Sequence, residues 1–222
     1  MSYFTQDYLN FLTELDSNNN RDWFNDNKKR FKENVEAPFK AFLQDLIDTA
    51  SAADTRISIT PKEAMFRIYK DTRFSKDKTP YKTHMAAIVG EGGRKGMKPN
   101  GIYLQSGFDS FGIFAGAYRP QPKEVKLIRE AIVSDMEGFQ AILNNKDFKG
   151  KFGAVKGETH KRIPKEFAAA YEQQPLLINK SFYVNHSFPA DTILKDNIID
   201  ICMEHFMAIQ DFGEFLYEAY QG

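Results

Sequence analysis

A single cysteine, Cys202, leaves this chain of 222 residues without an intrachain disulfide and without any zinc or iron–sulfur site built on several thiolates. It sits in the apolar run IIDICMEHF, the setting of a buried, inert thiol. A surplus of either charge is also missing. Thirty basic residues cancel thirty acidic ones, which argues against a non-specific nucleic-acid binder while leaving room for a local basic patch. No apolar run approaches the roughly 18–20 residues that a membrane-spanning helix needs, so no membrane partner is expected. The opening MSYFTQDYLN lacks the basic-then-apolar pattern of a signal peptide. With the lone cysteine, this points to a reducing, cytoplasmic setting. No repeat, low-complexity tract or linker interrupts the chain, and a single domain over residues 1–222 is expected.

Aromatics are plentiful. Twenty phenylalanines and ten tyrosines stand against one tryptophan, which reads as a phenylalanine-rich core. Hydrophobic residues at 42% and charged residues at 27% are those of an ordinary globular protein. A chain of this length can bury roughly 70–75% of its unfolded surface.

The first fifty residues have helical periodicity. Thr5 caps a helix carrying Tyr8, Leu9, Leu12 and Leu15, and SNNN (17–20) ends it. A second helix starts near Arg21, and Pro38 either kinks it or opens a third that lines up Phe39, Phe42, Leu43, Leu46 and Ile47. The middle is β in character. Arg56–Ile59 alternates polar and apolar, Thr60–Glu63 fits a capping box on one short turn, and extended chain resumes at Met65. Met85–Val89, Ile102–Gln105 and Phe111–Tyr118 read as strands joined by the glycine-rich loop GEGGRKGMKPNG (90–101) and a short turn, which implies an antiparallel meander. Helices follow from Pro122 and, by the capping box Ser134–Glu137, from about 134. A short helix over Lys165–Gln173, strands near 155–160 and 181–184, a long helix at 192–209 capped by Asp191, and a final short helix complete the chain. The fold class is α+β, with the antiparallel sheet of residues 56–118 covered by helices from the N- and C-terminal thirds.

Residues 66–84, FRIYKDTRFSKDKTPYKTH, stand out. Residues 62–82 hold seven cations against three carboxylates, a surplus of four. In extended chain Phe66, Ile68 and Phe74 fall on one side and Arg67, Tyr69, Asp71, Arg73 and Ser75 on the other. Reversal near Lys76–Lys78 would return Lys78, Lys82 and His84 toward Arg73. A structural reading pairs Arg67 and Arg73 with Asp71 and Asp77. A functional reading gathers at least two of Arg67, Arg73, Lys78 and Lys82 without carboxylate partners in a solvent-reachable hollow walled by Tyr69 or Tyr81, because guanidiniums suit bidentate contact with phosphate or carboxylate and converging unpaired cations otherwise repel.

Other motifs carry less. The glycine-rich loop lacks the spacing of a phosphate-binding P-loop and no helix follows it. The four histidines, His84, His160, His186 and His205, match no metal-ligand spacing, so no metal or other cofactor is expected. His160 lies beside Lys161 and Arg162, and His205 reads as a core histidine. No G-x-S-x-G elbow supplies an acyl-transfer nucleophile.

The central string, the upstream NNNRDWFNDNK and the downstream GETHKRIPKEF together resemble a largely bacterial family known as domain of unknown function 2461, over about residues 8 to 217. The resemblance implies a single-domain cytoplasmic protein and brings no site residues with it. The expectation is therefore a binding module for a nucleotide, sugar phosphate or nucleic-acid segment, through Arg67, Tyr69, Arg73, Lys78, Tyr81, Lys82 and His84. The alternatives are a metal-independent phosphoester-processing enzyme with His84 as proton-transfer group, and an adaptor docking an acidic protein; whether the chain is an enzyme stays open.

Overall fold

Thr5 and Asn20 are both extended residues that precede helices, and Asn20 caps its helix by accepting from the Trp23 amide at 3.0 Å. From these starts a computed structural model, which describes residues 2–96 and 98–221, builds the helical N-terminal third: α1 (Gln6–Ser17), α2 (Arg21–Asp26), α3 (Lys28–Phe31) and α4 (Ala37–Ala53). Between α3 and α4 lies one π-helical turn, Lys32–Glu36, directly before Pro38. Proline has no amide to donate, so the break in the α-helical ladder falls where its ring would disrupt it. The capping box at Thr60 and Glu63 opens α5 (Pro61–Ala64), and α6 (Gly93–Gly96) forms one turn within the glycine-rich loop, of which Met97 lies outside the described residues.

Strands β1 (His84–Val89), β2 (Ile102–Gly107), β3 (Ser110–Ala117) and β4 (Phe182–Pro189) form one antiparallel sheet in the order β1-β2-β3-β4, the expected meander within an α+β fold. Its start needs correction. Arg56–Ile59 is not a strand, because Asp54 accepts from both the amide and the guanidinium of Arg56 and bends the chain there. Pairing begins with single bridges, Met65 to Ala87 and Tyr69 to Tyr81. The extended segment near 155–160 likewise makes only two bridges, Lys156 to Tyr183 and Thr159 to Asn179.

The remaining helices are α7 (Pro122–Ser134), α8 (Met136–Asn144), α9 (Lys146–Phe152), α10 (Ala168–Tyr171), α11 (Ile198–Ala208) and α12 (Gln210–Gln221). The cap of α8 is Asp135, which accepts from the Gly138 amide at 2.9 Å, one residue beyond the expected Ser134. The long helix expected at 192–209 is a 3-10 turn, Ala190–Leu194, followed by α11. No helix among the described residues is long and apolar enough to cross a membrane.

The chain divides into two compact units. One comprises the described residues up to 96, with 103–113 and 187–204. Its core is aromatic: Phe4, Tyr8, Phe11, Phe24, Phe39, Phe42 and Phe111 are buried with Leu12, Leu15 and Leu46, and α4 packs against β1. The other comprises 98–102, 114–186 and the described residues from 205. Here α12 packs on α7 and α8, and Phe139, Phe148 and Phe212 meet ring to ring. In this unit Gly116 adopts φ +93°, and a Cβ there would lie 2.5 Å from the Phe182 carbonyl oxygen and 2.9 Å from the Phe212 ring. Gly116→Ala is expected to cost on the order of 2 kcal/mol or more, read as a lowered midpoint in urea unfolding, because both the backbone angle and the space demand glycine.

Candidate functional site

The basic segment is an irregular hairpin held at its base by side chains from elsewhere in the same unit. Lys82 donates its amide to the Ile68 carbonyl at 2.7 Å, and Lys70 donates to that of Pro80 at 2.9 Å. The Tyr81 ring stacks on Phe24 of α2, with centroids 4.0 Å apart and planes 16° from parallel. Asn19 clamps the Tyr81 backbone at both ends, its amide group donating to the carbonyl at 3.0 Å and its oxygen accepting from the N–H at 3.1 Å. Tyr81 is therefore 3% exposed, a core residue and not the wall of a site. Tyr69, 46% exposed, leans on the edge of the same stack.

The cations then separate into two groups. Toward the tip Arg73, Lys70 and Lys78 are occupied, while Lys76 makes no ion pair among the described residues. Arg73 makes two hydrogen bonds to Asp71, at 3.0 and 2.7 Å, and the Lys70 ammonium donates to Asp77 at 2.8 Å and to Thr79 at 2.6 Å. These contacts hold Asp71 and Asp77 below the usual carboxylate range, through Arg73 in the first case and chiefly through Lys70 in the second. The Lys78 ammonium donates to the Thr72 carbonyl at 2.9 Å. The structural reading thus describes Arg73.

At the base the cations have no carboxylate in ion-pair contact, although the charge of Arg67 helps Arg73 lower the pKa of Asp71. Among the described residues neither Arg67 nor Lys82 makes an ion pair, and the charge of Arg67 helps depress the pKa of Lys82, after burial. The Lys82 ammonium lies 5.2 Å over the Phe66 ring, which meets Tyr103 of β2 edge to face at 6.0 Å. Tyr103 donates to Gln105 at 3.1 Å. His84 opens β1 beside Gly107, where a Cβ would lie 3.1 Å from an Asp109 carboxylate oxygen and 3.7 Å from the His84 Cβ. Burial, then the charges of Lys82 and Lys70, lower the His84 pKa to about 4, with Asp109 opposing. His84 is consequently neutral at pH 7, beside two cations. Arg67 acts on Lys82 and Lys82 on His84 through their charges, and the Lys82 ammonium rests on a wall of Phe66 and Tyr103. That wall was not legible beforehand, since it comes from a strand some twenty residues further on. The grouping of Phe74 with Phe66 and Ile68 fails: Ile68 is 4% exposed and Phe74 96%.

The other unit holds a second basic cluster with a structural role. Arg129 is buried and donates to the carbonyls of Leu177 at 2.7 Å and Asn179 at 2.9 Å, and its charge, with that of Lys180, adds to burial in lowering the pKa of His160. His205 is 5% exposed and packs edge-on against Phe152 and His186, as a core histidine does. Cys202 is buried, which pushes its thiol pKa up. Among the described residues no three His, Cys, Asp or Glu side chains are grouped to hold a metal ion.

The model of a family described as "Conserved hypothetical protein (DUF2461)" matches residues 7–215. No curated protein matches the chain.

Two measurements check this geometry. Asn19→Ala leaves the Tyr81 amide and carbonyl without their partners and is expected to cost about 1–3 kcal/mol in chemical unfolding. His84 binds a proton more readily unfolded than folded, so stability falls as pH drops from about 6.5 toward 4. His84→Gln removes that penalty, and the variant should lose less stability than the parent across this window, by up to roughly 3 kcal/mol at the acid end.

Proposed function

We propose that this chain, which belongs to the DUF2461 family of conserved hypothetical proteins, is a binding module that seats a phosphate or comparable anionic group between Arg67 and Lys82, beside His84. The observation that carries the reading is a pair of neighbouring cations that no carboxylate among the described residues contacts. Within one segment the same fold supplies carboxylates to Arg73 and Lys70 and none to Arg67 and Lys82. Two neighbouring cations that repel each other and lack a partner are stabilised by an anion from solution. Arg67 offers a planar fork and Lys82 a point charge, while neutral His84 adds a hydrogen bond without adding repulsion. Hydrogen bonds to charged groups contribute on the order of 1.5–3 kcal/mol each, so two or three place such a ligand near micromolar affinity.

The depressed His84 pKa works against the enzymatic alternative, since a group that titrates near 4 is a poor proton donor at neutral pH. Arg73, Lys78 and Tyr81, tied into the hairpin, support the site instead of contacting the ligand.

Thermal-shift titration with inorganic phosphate, pyrophosphate and nucleotides tests the reading. The parent chain should gain several degrees at millimolar ligand, and the Arg67→Ala/Lys82→Ala chain should gain none. Equal stabilisation of both, or of neither, removes the proposal.

A further inference from the structure

Five large hydrophobic side chains are exposed among the described residues, and the two in the first unit, Tyr69 and Phe74, lie on the same arm of this hairpin. That arm alternates. Arg67, Tyr69, Asp71 and Arg73 are exposed, while Ile68 is buried and Lys70 and Thr72 are half-buried. The outward side therefore reads cation, ring, ion pair, and Phe74, one residue past the alternation, adds a second exposed ring within a stretch of at most about 23 Å. Each ring is held in place from behind: Tyr69 by the edges of Phe24 and Tyr81, Phe74 by the Arg73 guanidinium 5.8 Å from its centroid. A phenylalanine left 96% exposed in a unit that otherwise buries its aromatics forgoes the burial that drives folding, and nothing in the hairpin's own packing requires it.

We infer that the anionic group seated at Arg67 and Lys82 belongs to a single-stranded nucleic acid whose neighbouring bases stack on Tyr69 and Phe74. The inference rests on the proposed anion site and adds the class of ligand. Isolated rings interleaved with cations are what a single strand requires: a charged track for the phosphates and π-faces for the bases, with no need for a continuous apolar patch. A protein partner would want such a patch around an anchoring ring, and here the neighbours of both rings are charged. The Asp71–Arg73 pair is no barrier. It is exposed and neutral as a pair, so it neither attracts nor repels a passing strand strongly.

The test is fluorescence anisotropy with labelled oligo(dT) of about twelve nucleotides at low salt, run beside the phosphate thermal shift. The parent should bind with a log–log salt slope near −0.7, the value for one phosphate neutralised on a single strand, and Lys82→Ala should weaken that binding. Phe74→Ala should weaken oligo(dT) binding roughly tenfold and leave the phosphate shift unchanged, and Phe74→Tyr should restore it. Because Phe74 is exposed, these variants fold like the parent, which circular dichroism verifies. If phosphate stabilises the chain but oligo(dT) fails to bind, or binds indifferently to Phe74→Ala and Tyr69→Ala, the nucleic-acid inference falls and the anion site stands. If neither ligand acts, both fall. Competition by polyglutamate equal to that by oligo(dT) also overturns the inference, in favour of an acidic protein partner.

Discussion

The stack of Tyr81 on Phe24, with the Asn19 clamp on the Tyr81 backbone, is the constraint on which the basic hairpin depends. An irregular segment of some twenty residues with single bridges for pairing has little to hold it as a sheet. One aromatic pair at van der Waals distance and two side-chain-to-backbone hydrogen bonds replace the missing ladder. Everything on the hairpin takes its position from that anchor. Tyr69 rests on it, Lys82 follows it by one residue, and β1 begins two residues later. The two sequence strings that drew attention, NNNRDWF and the central FRIYKDTRFSKDKTPYKTH, meet here, Asn19 and Phe24 from one and Tyr81 from the other.

With the backbone fixed, charge is distributed by reach. At the tip a turn brings Asp77 back to Lys70, and Asp71 lies two residues from Arg73, so the ions nearest in space are of opposite sign. At the base the chain enters the sheet, neighbours are apolar or aromatic, and no carboxylate comes within pairing distance of Arg67 or Lys82 among the described residues. Partial burial then makes the remaining repulsion effective, because a lower local dielectric screens it less. The depressed pKa values of Lys82 and His84 have the same origin. Arg129 shows the contrasting solution in the other unit: a buried arginine satisfied by two backbone carbonyls, with its charge spent on holding a turn.

Much of this was legible in the residues themselves. Helical periodicity, the capping box at Thr60 and the β-meander depend on local stereochemistry and on period, and these are carried by neighbours a few residues apart. The strand misread at Arg56–Ile59 shows the limit of pattern: a single carboxylate, Asp54, satisfies the Arg56 amide and bends a segment whose alternation is that of a strand. The location of the basic cluster was also legible, since it is a matter of composition.

Which members of the cluster are free was decided only by tertiary structure. Tyr69 and Tyr81 are chemically alike and both stand in the segment, yet one is clamped under Phe24 and the other left half in solvent, because the Tyr81 ring stacks flat on Phe24 while Tyr69 meets it only edge-on. Arg67 and Arg73 are alike on paper, and a carboxylate within two residues neutralises one of them. The aromatic wall of Phe66 and Tyr103 arises from pairing across strands. The sequence alone determined that this chain has an α+β fold and a dense basic segment in its middle. The fold decided that Arg73 and Lys70 have carboxylate partners while Arg67 and Lys82 have none among the described residues, because ion pairing and burial are settled by distances that only the folded chain sets.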